Sequence, residues 1–352
     1  MKKPVSGRIL VIRLSSLGDV ARLLPSLAAL KAAPEVDEVS LTVEDRFAGL
    51  LDLFPVADRV ITYPRKGAPP PLRRPLAWRK AMKSYFGRLK QGRYDLALDL
   101  HGILRSALVA RFSGAETTAG YARGFGKEGS HLLYRQQLRP AEKTHISRYE
   151  RYAGALACLG VENGQGGYLS PKIPAGSARE VSGFLKDRHL ERGEFIFAFI
   201  GTSRAQQVKR WPLDSFVALA AHTYRVAGLP TVVGWGPEEE KTVKAVPPKP
   251  FLHVPPLLEL ASLVDMIQRA RIFVGADTGS SHLAALMGVP TVMILGPTDP
   301  VINRPFGERA RIVHKPGIHR LCRGARCNHR HCMGAISEEE VFDVMQEVME
   351  AP

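Results

Sequence analysis

Two short stretches of this chain carry residue types that can do chemistry. One is Ser15-Ser16-Leu17-Gly18-Asp19, a small-residue turn ending in a carboxylate, set after the apolar run that begins at Ile9. The other is Asp277-Thr278-Gly279-Ser280-Ser281-His282, which follows apolar residues 272–276 and leads into Leu283-Ala284-Ala285-Leu286. Small residues at the mouth of a helix leave its first backbone N–H groups open, and the helix dipole adds partial positive charge there. An anion fits such a place, and at the carboxyl edge of a parallel sheet the natural anion is a phosphorylated ligand. Asp19, beside Gly18, suits a proton acceptor. It equally suits a helix-terminal Asp that only meets free N–H groups.

The elements that must hold these residues follow from periodicity. Residues 8–14 read as a strand, and Leu23, Leu24, Leu27 and Leu30 then recur at helical spacing with Pro25 in the early turns. Residues 38–43 and 59–63 read as further strands, and the Pro-, Arg- and Lys-rich stretch 64–75 as an exposed basic loop. Residues 78–90 place Trp78, Met82, Phe86 and Leu89 on one helix face and Arg79, Lys80, Lys83, Arg88 and Lys90 elsewhere, as in a surface or an interfacial helix. Residues 94–102 form a strand and polar turn, 103–112 a helix, and 146–159 the helix closing the first half. Glycines and prolines across 160–178 read as a connection. The alternation then restarts with strand 195–200, a helix from Trp211-Pro212-Leu213-Asp214 to Ala227, strand 231–235 and helix 258–270. Strands before Asp277 and at 291–295 follow, then Gly296-Pro297-Thr298-Asp299-Pro300 and a final amphipathic helix at 338–350. The expected fold class is α/β, two doubly wound parallel-sheet domains in series facing a cleft.

Composition narrows the function class. A chain of 352 residues is comfortable for two domains. No run approaches the roughly 18 apolar residues of a membrane span. The start, Met1-Lys2-Lys3-Pro4, lacks the apolar core and cleavage site of a signal, so a cytoplasmic location is expected. Net charge is +15, and residues 59–148 hold 19 Lys/Arg against 5 Asp/Glu, or +14 of it. The bland account is a solvated basic face. The sharper one is a surface for an anionic membrane or a phosphorylated acceptor. Nucleic acid is not expected as a partner, since aromatic interleaving is thin and no nucleic-acid motif appears.

Of four cysteines, Cys158 reads as core, whereas Cys322, Cys327 and Cys332 form a C-x4-C-x4-C run near His319, His329 and His331. That spacing matches no standard zinc site, so no metal is assigned, and reduced loop cysteines or a disulfide are preferred. Gly124-Phe125-Gly126-Lys127-Glu128-Gly129 satisfies G-x-G-x-x-G but follows no convincing strand, so a nicotinamide cofactor is not expected.

These motifs resemble glycosyltransferase family 9, the lipopolysaccharide heptosyltransferases, whose fold is GT-B, built from two Rossmann-like domains. The likeness rests on Ser15–Asp19, Asp277-Thr278-Gly279, His282-Leu283-Ala284-Ala285 and Gly296–Pro300, with support from His101-Gly102 and Lys209-Arg210-Trp211-Pro212. It runs from Ile9 to the last helix. The resemblance implies an acceptor-binding domain at 1–165, a nucleotide-sugar domain at 179–335 and a helix at 336–352 packing back towards the first domain.

It also implies inverting, metal-independent transfer of a heptose or related sugar from ADP-heptose to a lipopolysaccharide core or lipid A-linked acceptor, with no cofactor, at the cytoplasmic face of the inner membrane. On that model Asp19 is the base. Thr202, Ser203, Lys209, Arg210, Glu238, Glu239, Asp277, Thr278, Gly279, Ser280 and His282 bind the donor. Arg210 or Arg204 stands in for Lys209 if the loop is one residue longer, and Glu238 or Glu239 takes the ribose diol. Ser16, Gly18, Asp99, His101, Arg105, Arg123, Lys143 and Arg148 meet the acceptor, with His145 nearby. The plain alternatives are a turn-capping Asp277, a buried helix-face His282, a surface Lys209 and acidic helix termini at Glu238 and Glu239. Rival functions are a nucleotide-sugar 2-epimerase on the same fold and a non-catalytic protein for anionic lipid or nucleic acid.

Overall fold

The computed structural model describes residues 5–65, 75–162, 164–315 and 331–350. The chain divides after Gly167 into two units.

In the first unit, strands β1 (Gly7–Ile12), β2 (Val36–Glu44), β3 (Arg59–Tyr63), β4 (Leu96–Asp99), β5 (Thr117–Tyr121) and β6 (Gln136–Leu138) form one sheet of order β3-β2-β1-β4-β5-β6. Every pairing is parallel. A parallel sheet is covered on both faces, which is why Ile9, Leu10, Val11 and Ile12 run without a polar break and are fully buried. The helices are α1 (Leu17–Lys31), α2 (Gly49–Leu53), α3 (Pro75–Lys90), α4 (Leu104–Phe112) and α5 (Arg148–Ala157). Leu10 and Ile12 point to a core shared with Tyr85 and Leu89 of α3, Ala107, Val109 and Ala110 of α4, and Tyr134. By alternation, Ile9 and Val11 point to the opposite face. The strand order reverses between β1 and β4, so the loops after them leave in opposite directions and open a crevice at that switch point.

The second unit repeats the plan. Strands β7 (Ile196–Phe199), β8 (Thr231–Gly234), β9 (Leu252–His253), β10 (Ile272–Ala276), β11 (Thr291–Leu295) and β12 (Ala310–His314) form a parallel sheet of order β12-β11-β10-β7-β8-β9. Its switch point lies between β7 and β10. Helices α6 (Ala175–Asp187), α7 (Leu213–Ala227), α8 (Glu240–Val243), α9 (Leu260–Arg269), α10 (Gly279–Leu286), α11 (His331–Gly334) and α12 (Glu338–Glu350) accompany it. Alternation again sorts the core. Ile196, Ala198, Val274 and Ile294 face α7, while Phe195, Phe197 and Phe273 face α6 and α9.

Two features of the second unit bear on its bounds. The final helix packs into the core of the second unit. Val341, Phe342, Met345 and Val348 of α12 are buried in the core of the second sheet, His222 of α7 stacks on Phe342 at 4.3 Å, and the Trp211 indole donates to the Ile336 carbonyl at 3.0 Å. An amphipathic helix goes where its apolar stripe is covered, and here α7 and the sheet cover it. The second unit also begins before residue 179. Leu169 N–H donates to the Leu286 carbonyl at 3.0 Å, and the Tyr168 ring packs edge-on to Phe306.

Candidate active site

In the first unit, Asp19 lies in the first turn of α1, just past the carboxyl end of β1. Arg13 reaches it from the end of that strand, Arg22 lies one turn further along α1 at 3.1 Å, and Arg148 comes from the first residue of α5 at 3.1 Å. The Ser16 hydroxyl donates to Asp19 at 3.3 Å, and Arg22 Nε donates to the Gly18 carbonyl. Burial opposes ionisation, but the charges of Arg13, Arg22 and Arg148 outweigh it and hold the Asp19 carboxyl far below the usual carboxylate range. Ser16, Gly18, Asp19 and Arg148 of the expected set therefore come together. Arg13 and Arg22 complete the cluster. The signal for Arg13 was present, since a cation inside an apolar strand that ends fully packed needs a carboxylate partner.

The turn after β4 is built inward. Asp99 is fully buried and accepts from the His101 and Gly102 N–H groups at 2.8 and 3.1 Å, and from the Ser106 and Tyr134 hydroxyls, both at 2.7 Å. Burial raises its pKa against those four donors. Asp99, expected to line the acceptor side, is buried and holds the turn that presents His101. Gly102 allows the turn because its φ is +75°. Burial pushes the His101 imidazole down to about 3, helped by Arg13, Arg105 and Arg148 and opposed by Asp19. That places His101 within electrostatic reach of the Asp19 cluster. Its Nδ1 has no hydrogen-bond partner among the described residues.

Arg105 turns to a second hub that the sequence reading missed. Glu44, fully buried at the end of β2, pairs with Arg46, Arg65 and Arg105 at 2.9, 2.9 and 3.3 Å. Nothing local in the sequence marks Glu44, whose partners are as far as 61 residues away. Arg123, Lys143 and His145 are exposed, and Arg123 and Lys143 make no ion pair among the described residues.

In the second unit the carboxyl ends of β7, β8 and β10 each contribute a loop. Asp277, 5% exposed, follows β10 and receives Lys209 Nζ at 2.8 Å and His282 Nε2 at 3.2 Å on its two oxygens. Thr278 is the N-cap residue of α10 and its hydroxyl meets that of Ser280 at 2.8 Å, so Gly279 and Ser280 open the helix. Helix-start N–H groups have no intrahelical acceptor. Glu239, after β8, is 1% exposed, accepts from the Thr202 and Gly236 N–H groups at 3.4 and 3.2 Å, and pairs with Arg210. Burial raises its pKa against those contacts.

The open choices of the sequence are thereby narrowed. Lys209 goes to the Asp277 loop and Arg210 to Glu239, while Glu238 is exposed. Ser203 is exposed, and the buried Thr202 hydroxyl has no hydrogen-bond partner among the described residues. The Arg204 side chain, Cys322, Cys327, His319, His329 and most of the basic loop at 64–75 lie outside the described residues. Cys332 packs beside Met333 in the core, whereas Cys158, expected there, is half-buried at the end of α5 with its thiol on the Arg139 carbonyl at 3.2 Å. A cavity of about 760 Å³ opens at the other edge of this sheet, among Arg188, His253 and Arg271 before the strands begin. The loops bearing Lys209, Asp277 and Glu239 are not part of it.

Two doubly wound sheets with polar loops gathered at their carboxyl ends define a group-transfer enzyme of the GT-B class. The chain belongs to glycosyltransferase family 9 (heptosyltransferase), whose model matches residues 82–332. It is 29% identical to lipopolysaccharide heptosyltransferase 1 of Pseudomonas aeruginosa, over 97% of this chain and 92% of the relative. Among solved structures, a family 9 glycosyltransferase from Veillonella parvula matches with a TM-score of 0.81 at 22% identity, covering 99% of each chain. Escherichia coli heptosyltransferase WaaC with ADP-2-deoxy-2-fluoro heptose matches with a TM-score of 0.71 at 23% identity, over 97% of this chain and 99% of that one.

Proposed function

We propose that this glycosyltransferase moves a heptose or a related sugar from ADP-heptose to a phosphorylated acceptor of the lipopolysaccharide core, lipid A-linked, with inversion and without a metal. The observation that carries this is the Lys209–Asp277 pair at the start of α10, where a cation and free helix N–H groups converge at one switch point. Such a grip suits a leaving diphosphate, because preorganised donors stabilise charge as it develops. The WaaC neighbour was solved with an ADP-heptose analogue.

In this scheme the acceptor hydroxyl oxygen attacks the anomeric carbon from the face opposite the diphosphate. The new C–O bond forms as the bond to the β-phosphate oxygen breaks, the hydroxyl proton passes to Asp19, and ADP departs with the electron pair. Asp19 is a weak base while three guanidiniums hold it, so proton transfer comes late, once the attacking oxygen has become strongly acidic. Arg148, with 33% of its side chain exposed, is the outermost of the three. An acceptor phosphate that draws Arg148 away raises the basicity of Asp19 when substrate is present. Lys209 and the first turn of α10 meet the diphosphate, Glu239 the ribose diol, and Asp277 with His282 the donor sugar hydroxyls. Among the described residues no helix is long and apolar enough to cross a membrane. Work on a lipid-linked acceptor therefore calls for peripheral attachment, which we place at the cytoplasmic face of the inner membrane.

A thermal-shift panel of ADP, UDP, GDP and ADP-heptose tests the donor. A ligand that binds only the native state raises Tm. Selective stabilisation by ADP and ADP-heptose is expected, and a response to UDP alone would refute the donor assignment. Turnover of ADP-heptose to ADP with a lipid A-linked acceptor, and an inverted anomeric centre in the product, test the reaction itself. Epimerisation of the sugar without acceptor would favour the 2-epimerase alternative.

A further inference from the structure

We propose that the α3–α4 layer of the first unit docks onto the surface of an anionic lipid bilayer, an inference that rests on the peripheral attachment proposed above and gives it a face. Helices α3 and α4 and residues 130–134 cover the same side of the first sheet, since Tyr85, Leu89, Ala107, Val109, Ala110 and Tyr134 share one core with Leu10 and Ile12. Their outer side is unusual. Leu104, Leu108 and Phe112 of α4 are 42%, 39% and 55% exposed. A spacing of four residues places them on one helix face. Leu132, 77% exposed, belongs to a short helical turn packed against α4, and Phe112 meets Phe86 of α3 edge-on at 6.3 Å. Exposed apolar side chains scattered singly need no explanation, but a stripe of this kind does.

The charge around the stripe says what covers it. Together α3 and α4 carry seven Lys/Arg and no Asp/Glu. Arg88 bonds the Thr62 carbonyl and Arg105 pairs with Glu44, whereas Arg79, Lys80, Lys83 and Arg111 are exposed and form no ion pair among the described residues. Glu128, in the loop before the short helical turn at 130–133, accepts from the Leu104 N–H at 3.1 Å. Leucines and a phenylalanine amid unpaired cations match the headgroup–acyl boundary of an anionic bilayer, where apolar burial and attraction to lipid phosphates add. A cytosolic acidic partner would use the cations but leave the leucines wet. The amino end of α4 follows the turn of Asp99 and His101, so a surface seated on this layer lies beside the proposed acceptor residues.

The test is co-sedimentation of the full chain with phosphatidylcholine vesicles, with and without phosphatidylglycerol, at low and high salt. The expected result is binding to the anionic vesicles only, weakened by salt. Leu108→Ser with Leu132→Ser, and separately Lys80→Ser with Lys83→Ser, should each weaken it about tenfold or more. ADP-induced stabilisation and turnover of a deacylated, water-soluble acceptor should be unchanged in both, which shows that the variants are folded. Vesicle binding by the variants equal to that of the unmodified chain would overturn the proposal. So would absence of vesicle binding, or self-association without lipid that the leucine pair abolishes, since a second copy would then be the occupant. The vesicle measurement involves no sugar, so it can fail while the transfer reaction stands, and the reverse.

Discussion

Asp19 is gripped by three guanidiniums, and the sign of the resulting shift constrains what pH can do. Its folded pKa is depressed, so its contribution to stability is present above the unfolded value of about 3.9 and is lost only as pH falls below it. Over any ordinary assay range it is charged. An acid limb in the kcat/KM profile near pH 5–6 should therefore persist in variants of Arg22 or Arg148, and a limb that moves with them would contradict a permanently ionised Asp19. His101 works in the other direction. Burial lowers it to about 3, so the fold favours the neutral ring. The unfolded chain takes up a proton below about 6.5, so stability is full above that pH and declines as pH falls towards 3, by at most about 1.4 kcal/mol per pH unit from this group. His101→Gln should flatten the dependence of the urea midpoint between pH 6.5 and 4.5, and an unchanged slope would show that the decline comes from elsewhere.

The same four-part unit, strand, small-residue turn, helix start and distant cation, recurs at β1 and β10, and each part can be tested as an element. Gly102→Ala puts a Cβ at φ +75° and 2.8 Å from the Tyr121 ring. It should cost about 1–3 kcal/mol by denaturation and disturb His101. Lys209→Met should weaken ADP binding by about 10–100-fold in calorimetry, the worth of a charge-assisted contact, and should lower Tm in the absence of ligand, because the buried Asp277 carboxylate loses its cation. Glu44→Gln should release Arg46, Arg65 and Arg105, raising the acceptor KM with ADP affinity intact.

Much of this was legible in the sequence, because long strands and helices announce themselves by period, and Asp277–His282 announces itself by small residues after an apolar run. What was hidden shares a physical reason. Strands β6 and β9, three and two residues long, are too short to show a period. Sheet neighbours, more than local pattern, settle them. Glu44 and the inward Asp99 take their roles from partners brought in by the fold, as the Tyr134 hydroxyl on Asp99 shows from 35 residues away.

At the scale of the molecule, the two units differ in charge. Nearly all of the +15 net charge sits in residues 59–148 of the first unit, which suits an acidic lipid-linked acceptor. The second unit concentrates its polar groups at the start of one helix, which suits a nucleotide diphosphate. The last helix belongs to the same unit, since α12 completes the core of the second sheet. The most direct test of Asp19 as base and of the second unit as donor site is a paired measurement on Asp19→Asn of turnover and of ADP affinity. Turnover should fall by about 10²–10⁴-fold. ADP affinity should stay within about twofold of the unmodified chain. Near-normal turnover, or a loss of ADP binding as large as the loss of turnover, would contradict that division.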